Sequence, residues 1–408
     1  MTRVQQDTSA EELNGGNLHV RFRGRLGWGH RSGLLNKTVQ RNARTRGVRV
    51  GRAVLWTILI VIVSVSYAAS QAVYAASGSR PKFFSKPVLV KNSPTNLKYF
   101  DVSWVDQATQ RYYLSDRNND AVDLVDAATD TFIGFIGKGH YTGARTCPGE
   151  PKQWRLCAGP NGVITDDVGH VWAGNGNGDI IEASATRSGS TIIRSIPTGG
   201  TGRIDEFAYD PVSQILMAEN DGSFPPYITF FSPITGRILG QYFYPKGQRG
   251  MEQPVWDSRT GLFYQNVPGK HNRIDVFDPG NLTRPVKSIP VECHGGLFGL
   301  TLAGLTVGPN GMLMAVCGTV GGALIDPVTG KMLKVVPQGG DADQVWFDSG
   351  TDNYFFSGPR GVAVVSAATL KYVTTIPLVS HSVAVDAQNH HVFVPVAGKG
   401  IYVLTFGR

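Results

Sequence analysis

The chain has 408 residues, with 39 Lys and Arg against 31 Asp and Glu and a formal net charge of +8. The imbalance is local: residues 1–52 hold 11 basic and 3 acidic side chains, and residues 53–408 hold 28 of each. A neutral body of this kind offers no broad positive field to nucleic acid, and the 4 cysteines show neither zinc-finger spacing nor the C-x-x-C-H of haem attachment.

In chain order, residues 1–52 read as a basic tail, a cytoplasmic flank to the apolar segment after it rather than a phosphate-binding arm. Residues 53–79 carry no charge and include the strongly apolar LWTILIVIVSV at 55–65, close to the lower limit for a membrane-spanning helix. Val73-Tyr74-Ala75 ahead of Ala76 and Ser77 has the form of a signal-peptidase site. Segment 53–76 is therefore expected to be either an uncleaved helical anchor or a signal peptide. A true start further downstream is a third alternative. Positive residues before the segment and none just after it orient the tail inward and the rest of the chain outward, with membrane contact through this segment alone. Residues 77–86 read as a linker.

From residue 87 the chain is strand-like. PVLV at 87–90 comes first, followed by seven copies of one pattern: a short apolar run ending at Asp, a turn, an aromatic or β-branched run, a Gly/Asn turn and a third apolar run. The first runs lie at 103–106, 163–166, 207–210, 254–257, 305–308, 344–348 and 382–386. Their marker positions are 38 to 60 residues apart, about the length of a four-stranded propeller blade. Most units carry a fourth run, but the last has none before the chain stops. The segment 87–90 is expected to supply that missing outer strand and close the ring. The fold class is thus all-β: one seven-bladed β-propeller over residues 87–408.

LVDAATDTFIGFI, LIDPVTGKMLKVV and VSAATLKYVTTI resemble the third and fourth strands of the YVTN family of β-propeller repeats. GPNGVITDDVGHVWAG resembles the related NHL and virginiamycin-lyase type of repeat. The resemblance covers roughly residues 87–406 and concerns architecture, since propellers host binding, scaffolding and several chemistries.

In a propeller the first strand of each blade lines the central channel, so residues just ahead of each first run converge on one mouth. Five positions before each marker stand Asp101, Asn161, Asp205, Glu252, Ala303, Asp343 and His381. Converging carboxylates repel one another, and two remedies exist. One is a bound divalent cation (Ca²⁺ or Mg²⁺ on oxygen ligands, Mn²⁺ or Zn²⁺ if the histidine joins), with Asn161, Asp205, Glu252 and Asp343 as its ligands. The other is protonation of one or more carboxyls, which then serve as general acids. A merely wet, polar mouth is the plain alternative. An outer ring at the ends of the second runs would hold Asp116, Asn175, Glu219, Asn220 and Asn266, of which Glu219 best reaches the first ring.

Two long insertions, 137–158 and 290–304, join blades over the same face and carry His140, Tyr141, Arg145, Trp154, Arg155, His294 and Phe298. The turn with Lys270, His271 and Arg273 is expected nearby. Long loops over a mouth are often binding loops; their Arg and aromatic content suits an anionic or carbohydrate-like ligand touching Asp101, His140, Arg145, His271 and His294. A Cys147 to Cys157 disulfide would brace the first insertion in an oxidising compartment, and Cys293 with Cys317 is a second candidate pair. The marker aspartates are expected to close turns on the far face, and Trp104, Trp256 and Trp346 to pack between blades.

Two functional classes follow. The YVTN resemblance implies an exported, non-enzymatic propeller that binds a small molecule or protein. The alternative is a metal-dependent enzyme similar to gluconolactonase-type hydrolases or virginiamycin-type lyases, in which the cation polarises a carbonyl and His381 or Glu219 moves the proton.

Overall fold

The computed structural model describes residues 84–145, 147, 157–186, 189–248, 250–295 and 301–406. The tail, the apolar segment expected to be helical, most of the linker, and Trp154, Arg155 and Phe298 lie outside the described residues. Among the described residues no helix is long and apolar enough to cross a membrane.

The marker aspartates explain why each apolar run turns back on itself. Asp106 Oδ1 accepts the backbone N–H of Ala108 (2.9 Å) and Asp106 Oδ2 the hydroxyl of Thr109 (2.6 Å). The same bonds recur at Asp210 with Val212 N (2.8 Å), at Asp348 with Gly350 N (2.8 Å) and at Asp386 with Gln388 N (3.0 Å). A carboxylate that satisfies its own loop makes a tight hairpin independent of the rest of the fold.

Seven four-stranded antiparallel sheets result. In blade 1 the strands are Phe100–Asp106, Arg111–Asp116, Ala121–Asp126 and Thr131–Ile136. Blades 2 to 6 follow in sequence order, their innermost strands being Val163–Thr165, Phe207–Asp210, Glu252–Asp257, Leu305–Val307 and Gln344–Asp348. Blade 7 takes Ala384–Asp386, His391–Val396 and Gly400–Thr405 from the chain's end and Val88–Leu89 from its beginning, with Val88 opposite Val403 and Leu89 opposite Tyr402. Strand 87–90 therefore closes the ring as expected, in a shorter form.

Among the described residues the apolar core is divided between the blades. Seven apolar clusters each sit between two neighbouring blades, for example Tyr112, Leu114 and Val125 of blade 1 against Phe393, Ile401 and Val403 of blade 7. Neighbouring blades come close enough that two positions directly ahead of innermost strands require glycine. A Cβ on Gly304 would lie 2.6 Å from Val345 N, and one on Gly162 would run into the backbone of Asp205.

The tryptophans do more than pack between blades. Trp104 of blade 1 and Trp346 of blade 6 meet edge to face with centroids 5.5 Å apart. Blade 7 separates those two blades, so the contact bridges blades that are not neighbours. Trp104 Nε1 also donates to Thr165 Oγ1 of blade 2 (3.0 Å).

Both disulfides form, Cys147 to Cys157 and Cys293 to Cys317, and no free cysteine is left.

Candidate functional site

Each blade's innermost strand starts at the mouth and runs down the channel, so its first residues form the site. In blades 1 and 4 that strand is irregular just past the mouth residue, between Phe100 and Ser103 and between Glu252 and Val255. Such bulges re-aim side chains at a sheet edge.

Two arginines organise one side of the mouth, and the five-residue offset found neither. Arg117, 4 % exposed, follows the second strand of blade 1; it donates through Nε to Asn161 Oδ1 (3.1 Å) and pairs with Asp101 through Nη2. Arg203 precedes blade 3 and pairs through Nη2 with Asp205 (2.5 Å) and Asp221 (2.7 Å), with Asp101 3.9 Å from Nη1. Asp221 Oδ1 also accepts Met251 N (3.1 Å), which fastens the approach to blade 4. His381 stacks on Phe100 with centroids 4.7 Å apart; its Nε2 lies 3.1 Å from the Phe100 carbonyl and 3.7 Å from Asp101 Oδ1.

Below this layer a belt of hydrogen bonds crosses the channel. Gln344 of blade 6 donates to Glu206 Oε1 of blade 3 (2.9 Å), and its own Oε1 accepts from Ser382 of blade 7 (2.9 Å). Ser382 Oγ in turn lies 2.8 Å from Ser103 Oγ of blade 1. Glu219, fully buried, accepts from Gln265 Nε2 of blade 4, which also donates to the Glu252 carbonyl (3.0 Å).

The electrostatics follow from crowding. Burial first, and then the neighbouring carboxylates Asp101 and Asp221 against the pull of Arg203, pushes Asp205 up to about 8. Burial raises Glu206, with Asp205 and Asp343 adding to it. Burial also raises Glu219, reinforced by Glu206 and Asp205, and Glu252, reinforced by Asp343 and Asp205. A carboxyl that keeps its proton relieves the repulsion without any added ion.

The structure brings together Asp101, Asn161, Asp205, Glu252, Asp343 and His381 at the mouth, with Glu219 one layer below. The donors expected to hold a cation are partly engaged already: Asn161 Oδ1 accepts from Arg117 and Asp205 is paired with Arg203. Among the described residues no three His, Cys, Asp or Glu side chains are grouped to hold a metal ion.

The outer ring is structural for the most part. Asp116 caps its own turn through Asn118 N (2.8 Å), Asn175 holds Thr142 N (2.9 Å) and Asn266 donates to the Gly304 carbonyl (3.2 Å). His140, Arg145, His271 and His294 are exposed on the blade-joining loops and strand turns of the mouth face, outside the buried network. His271 lines a surface cavity of about 410 Å³ together with Gln248, Lys270 and Arg273.

Arg117, Arg203, Glu206, Asp221, Gln265 and Gln344 were missed. Signals for some were present in the sequence: Arg203 lies two residues before Asp205, Glu206 directly after it, and Asp221 two residues after Glu219. A fixed offset selects one residue per blade, whereas the channel holds two layers.

No protein-family model and no curated protein sequence matches the chain. Many solved structures match it in fold. One is a chain from the crystal structure of a mitotic checkpoint complex, with a TM-score of 0.59 and 11% identity over 79% of this chain and 92% of that one. At that identity the likeness is one of fold, a β-propeller.

Proposed function

We propose that the protein is an exported binding propeller of the YVTN type that takes its ligand on the channel-mouth face. The observation that carries this reading is the network of Asp101, Asp205, Asp221, Arg117 and Arg203, in which ionisable groups from blades 1 to 3 converge on one opening. Such a convergence of buried charge is costly and is a mark of functional sites more than of scaffolds. Two disulfides support an oxidising compartment, and the basic tail ahead of an uncharged apolar segment supports export or anchoring. The structural neighbour comes from a multiprotein complex, in keeping with a role in interaction.

A thermal-shift screen of metabolites, oligosaccharides and peptides tests the reading. Hits are expected to disappear in Asp205→Asn or His271→Ala and to survive changes in the far-face turns, such as Gln388→Ala. Hits that vanish only with the far-face change would overturn it.

A second reading, hydrolysis or elimination at the same mouth, has one observation in its favour: burial holds protons on Glu206, Glu219 and Glu252, as a general acid requires. A lactone screen with wild type and Glu252→Gln checks it, and activity indifferent to the substitution removes Glu252 from any role.

A further inference from the structure

The two arginines neutralise only one side of the mouth. Arg117 and Arg203 serve Asp101, Asn161, Asp205 and Asp221, all on blades 1 to 3. Next to them stand Glu252 of blade 4 and, beneath it, Glu219 and Glu206 of blade 3, and among the described residues no ion pair joins a cationic side chain to any of the three. Blade 5 contributes Ala303 to the ring, so no polar side chain fills the position between Glu252 and Asp343.

A second, independent observation lies in the amide beneath. Gln265 is fully buried, and its Nε2 already serves Glu219 and the Glu252 carbonyl, yet its Oε1 has no partner. Glu219 Oε2 and Glu206 Oε2 also lack partners. Once a carboxyl of this group gives up its proton, these oxygens lack both positive charge and N–H donors. A metal ion would supply only the first, and the carboxyls are not grouped to coordinate one. An ammonium carries three donors and a guanidinium five, each with its charge.

We infer that the Glu252 side of the mouth binds the protonated amine or guanidinium head of an organic ligand, which does for Glu252, Glu219 and Glu206 what Arg117 and Arg203 do for Asp101, Asp205 and Asp221. This rests on the mouth being the binding face. Glu252 is held protonated by burial and by Asp343, Asp205, Asp221 and Glu206. The entering cation exchanges for that proton, so affinity rises with pH.

The test is calorimetry on the purified full-length chain at several pH values. The probes are n-butylammonium and butylguanidinium for a free small molecule, and N-acetyl-lysine and N-acetyl-arginine methylamides for a polypeptide side chain. The uncharged N-acetyl-norleucine methylamide is the control. Expected are saturable binding of at least one cationic probe, a rise of roughly tenfold in affinity per pH unit where one proton is released, and a loss of tenfold or more in Glu252→Gln. The set that binds more tightly identifies the source of the head group. Glu219→Gln, compared by circular dichroism with wild type, gives a second reading if Glu252→Gln misfolds. Equal binding of norleucine amide, binding unchanged in both variants, displacement of the probe by Ca²⁺ or Mg²⁺, or no binding at all would each overturn the inference. A neutral or anionic hit from the thermal-shift screen that is lost in Asp205→Asn would leave the mouth as the binding face while removing its cationic ligand.

Discussion

Asp123 and Asp205 answer the same problem, a carboxyl in a place water barely reaches, in different ways. Asp123 is fully buried in blade 1 with both oxygens unpartnered, and burial together with nearby Asp116 raises it well above the usual carboxylate range. Asp123→Asn is expected to change stability little at pH 5 and to raise it more at pH 8, because the fold keeps a proton that the unfolded chain gives up more readily as pH rises. Urea melts at the two pH values check this. Asp205 is lifted to about 8 in spite of its arginine, whereas an unfolded Asp titrates near ~3.9. The folded chain thus holds a proton that the unfolded chain releases, so stability is greatest below about pH 4 and is lost as pH rises towards 8. One such proton costs about 1.4 kcal/mol per pH unit across that window. Glu206, Glu219 and Glu252 act in the same direction. Melting temperature is expected to fall between pH 5 and pH 8, and less steeply in Asp205→Asn; a flat profile would count against the buried acids.

At the scale of the element, the hairpin turns could be read in advance because an Asp that bonds the next two or three backbone N–H groups needs nothing from elsewhere in the fold. The second strands' polar ends were harder. Asn175 and Asn266 look like ring members in sequence but tie loops of neighbouring blades, and a partner on another blade leaves no local mark. The Cys293 to Cys317 bond links an inter-blade loop to the second strand of blade 5, across a separation of 24 residues. A loop of that length restricts the unfolded chain by about 3 kcal/mol. The double variant Cys293→Ser, Cys317→Ser is expected to lose about that much in guanidinium melts, while reduction of wild type, which also opens Cys147 to Cys157, lowers stability at least as far.

For the whole molecule, stability depends on a ring whose last blade is completed by the chain's beginning. Phe84 packs on Phe406 with centroids 4.3 Å apart, Ser85 N donates to Thr405 O (2.9 Å) and Val90 N to Ile401 O (2.9 Å). Deleting everything before Lys91 exposes the edge of strand Gly400–Thr405 and opens the seam between blades 7 and 1. The truncated chain is expected to melt lower and to associate through its free edge, visible by calorimetry and size-exclusion chromatography; an unchanged monomer would show that the closing strand is dispensable. Repeat number and blade order were legible in the sequence because each depends on alternation and turn residues within about forty positions, and closure because the last unit lacks a fourth run while an unmatched one precedes the first. The site was legible only in part. A repeat offset brings Asp101, Asp205, Glu252, Asp343 and His381 to one opening, but whether those acids take an ion, an arginine or a proton depends on Arg117, Arg203 and Gln344. Some of their partners lie on other blades, Asn161 for Arg117 and Asp101 for Arg203, and up to 138 residues away in the case of Gln344 and Glu206. The repeat pattern follows from local chemistry, whereas the charge state of the mouth arises only when the closed ring forces side chains from distant blades to share one poorly hydrated space.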